Sequence, residues 1–125
     1  MPIARTMNAS CEISTGRIKI LSNTPLFSSE NRGDLLVATL YKNGTEYYLD
    51  DSVTPYLQMF YPLSRSTSEQ IEMEVGESSN TIFCYIPKAM LEKEDRPVMV
   101  LLLKVFGGSR QIVLGTVELK ITKTS

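Results

Sequence analysis

The chain has 125 residues, 13 of them basic and 14 acidic, and a formal net charge of −1; long-range attraction to nucleic acid or to an anionic membrane is therefore not expected. It contains no histidine, which removes the usual general base, the usual proton shuttle and the commonest transition-metal ligand together. Residues 1–125 are long enough for one domain with a real core, and no apolar run reaches the roughly 18 residues of a membrane span, Lys104 interrupting the best candidate.

In chain order, residues 1–10 are mixed in character and read as an N-terminal arm without the apolar core of a signal peptide. Cys11 to Leu21 carries Ile13, Ile18 and Ile20 around Gly16-Arg17, which fits either one bulged strand or a small hairpin. Ser22 to Gly33 is a polar connector, long for a compact domain; such connectors are often functional or mobile. Asp34 to Tyr41 reads as a strand, followed by Asn43-Gly44, the strongest short hairpin signal because both residues tolerate positive φ. Glu46 to Leu49 is the expected return arm, and Thr54 to Tyr61 the next strand, rich in aromatic residues.

Pro62 to Ser68 reads as a loop. From Gln70 to Val75 the pattern alternates, with Ile71, Met73 and Val75 expected inward and Glu72 and Glu74 outward. Gly76 to Asn80 turns the chain into Thr81 to Ile86, completing a second hairpin, and Pro87 to Lys93 is the one candidate helix. The central element is the hairpin from Pro97 to Thr122. Its first arm is almost continuously apolar from Val98 to Phe106; the second alternates, with Val113, Gly115, Val117, Leu119 and Ile121 on one face. Strand and turn signals recur every 8 to 12 residues, so the expected fold is all-β: an antiparallel β-sandwich of about seven or eight strands with one short helix.

The residues carry little chemistry. Cys11 and Cys84 sit in alternating apolar stretches and suit two reduced core residues better than an inter-sheet disulfide. Asp50-Asp51 has too few companions for a calcium site, because only Asp34 and Asp95 remain as aspartates. Tyr47, Tyr48, Tyr56, Phe60 and Tyr61 form either strand packing or a ligand-stacking face; the second option would make the chain a small-ligand or carbohydrate-binding module. Without histidine a catalytic serine would need a lysine, and no Ser-x-x-Lys occurs. Gly107-Gly108 precedes a strand rather than a helix, which excludes a phosphate-binding loop. No enzyme, metal or cofactor is expected.

One ordered set of segments is similar to a known family. It runs from Leu40-Tyr41-Lys42-Asn43-Gly44-Thr45-Glu46-Tyr47 through Phe60-Tyr61-Pro62 to Asn80-Thr81-Ile82-Phe83-Cys84-Tyr85-Ile86-Pro87 with Met90-Leu91, and closes with Glu118-Leu119-Lys120-Ile121. Over roughly residues 14 to 123 this resembles the N-terminal domain of bacteriophage baseplate upper proteins. The family's proline, aspartate, glycine turn is here Pro62-Leu63-Ser64. The resemblance implies a β-sandwich that binds other virion proteins in multiple copies or as a homo-oligomer. It implies residence in the virion, after synthesis in the cytoplasm of a bacterial host, and leaves baseplate, fibre attachment and capsid surface open. The expected partner-binding segments are the arm and the connector, with Met1, Pro2, Ile3, Arg5, Leu26, Phe27, Asn31 and Arg32 as candidates.

Overall fold

A computed structural model of the chain describes residues 5–22, 26–28, 34–105, 108, 110–120 and 122–124. The alternating runs form strands β1 (Arg5–Glu12), β2 (Arg17–Ser22), β3 (Leu26–Ser28), β4 (Asp34–Lys42), β5 (Thr45–Glu46), β6 (Val53–Tyr61), β7 (Ser66–Thr67), β8 (Ile71–Glu72), β9 (Glu74–Val75) and β10 (Thr81–Ile86). A short helix α1 (Lys88–Glu92) follows Pro87, and β11 (Val98–Val105), β12 (Gln111–Glu118) and β13 (Thr122–Thr124) complete the described elements. The all-β character and the single short helix agree with the sequence.

The architecture departs from a sandwich of seven or eight antiparallel strands. Eleven strands join one continuous sheet along the path β7-β6-β11-β12-β2-β1-β4-β10-β9, with β5 on β4 and β8 on β6, while β3 and β13 form a separate parallel pair. The large sheet is mixed: β1 runs parallel to β4 through eight register pairs, Arg5↔Asp34 to Glu12↔Tyr41, and β12 meets β2 in parallel at Thr116↔Arg17. Turn signals reveal which consecutive strands can form hairpins. They carry no information about a parallel partner reached through a long crossover.

The β12–β2 junction is narrow, a single register pair reinforced by the Thr116 amide donating to the Gly16 carbonyl at 3.0 Å. It divides the sheet into a β6–β11–β12 half and a β2–β1–β4–β10 half. Met7, Cys11, Leu36, Leu40 and Ile82 of one half nevertheless share one core with Leu57, Met59, Met99, Leu101 and Leu103 of the other. A flat sheet cannot do this, so the sheet curls over its own inner face. Residues 71–75 then link the two ends of the path. Ile71 pairs with Leu57 of β6, the Met73 amide donates to the Pro55 carbonyl at 2.9 Å, and Val75 pairs with Ile82 of β10.

Three local expectations are corrected by this arrangement. The N-terminal segment is not an arm from Arg5 onward: β1 lies between β2 and β4, with Met7 and Ala9 buried. Its polar residues Thr6 and Asn8 alternate with them on the outer face, and that alternation conceals a strand in a mixed composition. In β12, the register shifts between Leu101 and Leu102, so Gly115 faces Leu101 and Val113 faces Leu102, and Leu114 is left as the bulged residue. The extra residue turns Val113 outward at 57% exposure and buries Leu114 at 1%. Finally, the strand is interrupted at Met73, between β8 and β9, and Val75 is exposed where an unbroken strand would turn it inward.

Cys11–Leu21 resolves as a hairpin, β1 and β2 around a turn at 13–16. Cys11 is buried and Cys84 half-buried, both as free thiols. Burial, and for Cys11 also the neighbouring Glu12 charge, pushes their pKa values up to about 11 and about 12.

Candidate partner-binding surface

Successive residues of a strand point to opposite faces, so the register defines what the outer face of the β6–β11–β12 half presents. Across the three strands lie the rows Tyr56, Leu102 and Val113; Gln58, Val100 and Thr116; and Phe60, Val98 and Glu118. Leu102 is only 3% exposed, although it faces away from the core shared by Leu101 and Leu103. Phe60 and Val113 are exposed, and Lys104 Nζ lies 4.6 Å from the centre of the Tyr56 ring at the upper border. The result is an apolar stripe on the outside of a sheet whose inner side is already filled.

Below the Phe60 row the stripe runs into an open cleft of about 410 Å³, walled by Pro62, Leu63, Glu94, Asp95, Arg96 and Glu118. Glu94 shapes one wall. Its carboxylate accepts from the Leu63 amide at 3.0 Å, the Ser64 amide at 2.9 Å and the Ser64 hydroxyl at 2.8 Å, which ties the β6–β7 turn to the segment after α1. Burial alone would raise its pKa; those three donors and the nearby Lys93 charge outweigh it and leave the group lowered. Nearby, the Tyr61 hydroxyl donates to the Met90 carbonyl at 2.9 Å, and Lys93 Nζ stands 4.8 Å from the Tyr61 ring centre. Arg96 and Glu118 approach to 3.9 Å with both side chains about two-thirds exposed, a solvated pair of little energetic weight. With Leu63 at 88% exposure on its lip, the cleft is apolar at its mouth and charged along its walls.

Of the candidates singled out in the sequence, only Arg5, Leu26 and Phe27 fall within the described residues. Met1, Pro2, Ile3, Asn31 and Arg32 lie outside the described residues. Arg5 begins β1 opposite Asp34, and Leu26 and Phe27 pair with Thr122 and Lys123 in the small parallel sheet. Nor do the five aromatic residues form one stacking face: Tyr61 is buried, Tyr56 and Phe60 point outward from β6, and the exposed Tyr48 bonds Glu46 beyond β5. Asp50 closes its own turn by accepting from the Ser52 amide and hydroxyl, and the side-chain bond first, then the amide, lowers its pKa.

No protein-family model matches the sequence, and no curated protein matches it either. Among solved structures the chain is similar to the N-terminal domain of phage TP901-1 ORF48, with a TM-score of 0.68 and 10% sequence identity, over 97% of this chain and 99% of that one. At that identity the likeness is one of fold.

Proposed function

We propose that this chain is a structural component of a phage virion, which binds other virion proteins and performs no chemistry of its own. The observation that carries this reading is the whole-length likeness of its fold to a phage domain. Folds host many functions, so the inference from fold alone is one of analogy. It gains weight because the sequence separately resembles a phage domain, that of the baseplate upper proteins, through segments such as Leu40–Tyr47 and Asn80–Pro87. The stripe of Phe60, Val98, Val100 and Val113 beside the cleft offers the kind of surface a protein partner covers.

Within this reading the chain is present in multiple copies, and the baseplate is its place in the particle. It is tested by mass spectrometry of gradient-purified particles, together with binding between the purified chain and individual virion proteins. Recovery of the chain at a fixed ratio to known tail proteins is the expected result; its loss during purification overturns the reading.

A further inference from the structure

Leu102 is turned outward from β11, away from the core that Leu101 and Leu103 share, yet it is only 3% exposed. Its row partners Tyr56 and Val113 flank it, and Val113 is itself exposed. What closes the space above Leu102 follows from three glutamines. On the outer face, the row above holds Thr54, Lys104 and Gln111, and the row below holds Gln58, Val100 and Thr116. Gln58 on β6 and Gln111 on β12 thus stand at opposite corners of a diagonal whose midpoint is Leu102. Gln70, which follows β7, spans that diagonal. Its Nε2 donates to Gln111 Oε1 at 3.0 Å and reaches Gln58 Oε1 at 3.5 Å, while Gln58 Nε2 donates to the Ser68 carbonyl at 3.0 Å. A nitrogen that touches both corners sits over the middle. The clasp lies above Leu102.

The clasp is closed by side chains alone. Its 3.5 Å contact is at the outer limit of a hydrogen bond, so the Gln70–Gln111 bond carries it. Both groups are neutral; Gln70 is half-buried and Gln111 exposed. A neutral hydrogen bond at the surface gains little beyond the rotamer freedom that two glutamines lose in making it. Covering the Leu102 side chain favours the closed form. The two forms are therefore closely balanced. Opening needs only rotation of Gln70 and Gln111, and the backbone pairing of residues 66–72 to β6 stays in place.

We propose that Gln70 and Gln111 form a latch over the centre of the apolar stripe, and that its opening regulates this surface. Closed, the latch interrupts the stripe with two carboxamides and shields Leu102 in the free chain. Open, Leu102 joins Val98, Val100 and Val113 in one apolar surface. A partner covers the larger surface, so apparent affinity follows the population of the open form. The inference rests on the reading that virion proteins cover the stripe, and it adds the control of that site.

Two readouts on the full chain test it, comparing the parent with Gln70→Ala and with Gln111→Ala, which breaks the same bond from the other side. The first is the relaxation of leucine methyl signals by a dissolved neutral nitroxide. The Leu102 methyls should relax at least about threefold faster in either variant than in the parent. Those of the core residues Leu101 and Leu103 should not change, which also reports that the variants are folded. The second is the yield of chain in purified particles when the chain is limiting, which should rise at least about twofold in both variants. Leu102 methyls as shielded in both variants as in the parent overturn the latch and leave the virion reading untouched. Exposed methyls with an unchanged yield overturn its regulatory role. Absence of even the parent chain from the particles overturns the virion reading, and the regulation falls with it.

Discussion

The Sγ of Cys11 lies 2.9 Å from the position a Cβ on Gly115 would occupy, and the Ile18 Cγ1 lies 3.1 Å from it. The two halves of the sheet meet here, where β12 crosses close over the β1–β2 hairpin, and only glycine leaves room for the crossing. Gly115→Ala should therefore cost about 1–3 kcal/mol, the range for overpacking a filled site. Pairing it with Cys11→Ala should recover part of that loss, because the second change removes the atom that clashes. Melting curves of the two single variants and the double variant measure the coupling. Simple additivity would mean that the strain lies elsewhere.

The bulge in β12 makes a second, sharper comparison between neighbours. Leu114 is buried and Val113 is not, the reverse of the alternation written in the sequence. Leu114→Ala should cost about 2–5 kcal/mol, whereas Val113→Ala should stay within about 0.5 kcal/mol. On the outer face of β11, Leu102→Asp should also be severely destabilising, because it puts a carboxylate at a site that is only 3% exposed and packed between Tyr56 and Val113. Chemical denaturation of the three variants checks the order.

Glu12 links the tips of two hairpins. Its carboxylate accepts from the Ser14 hydroxyl at 2.6 Å and amide at 3.1 Å, the Gly44 amide at 2.7 Å and the Asn43 amide at 3.0 Å. The Ser14 hydroxyl first, then the Gly44 amide, bring its pKa down from 4.5 to about 2. A lowered folded-state pKa means the ionised form favours the folded state. The contribution is complete above about pH 4.5 and disappears as pH falls toward 2. Glu12→Gln should lower the melting temperature at neutral pH, and the gap from the parent should narrow across that acid window. A gap independent of pH would show that the charge is not what holds the two turns.

How much of this was legible in the sequence depended on the range of each signal. Runs of apolar and β-prone residues bounded by turn signals located β4, β6, β10 and β11, and Asn43-Gly44 located its turn, because those signals are local. The parallel β1–β4 pairing was not legible, since no residue near Met7 records a partner near Leu36. The bulge at Leu114 escaped because three consecutive apolar residues, Ile112 to Leu114, permit either phase. The apolar stripe was hidden for a related reason: Val98, Val100 and Leu102 read as buried simply because they are apolar, and only the register places them on the outer face. The cleft is assembled from 62–63, 94–96 and 118, segments that no spacing rule brings together.

The central claim is that this chain binds virion proteins through its outer surface, and a single paired measurement tests it most directly. Val113→Asp adds a charge to the apolar stripe at an exposed position, so it should leave the fold intact. Particles assembled with that variant and with the parent chain are purified side by side, and the copies per particle are counted by quantitative mass spectrometry. The account predicts a melting temperature close to the parent's and at least about a tenfold loss of incorporated chain. Incorporation equal to the parent's would contradict the assignment of the stripe, and absence of the parent chain from purified particles would contradict the virion role itself.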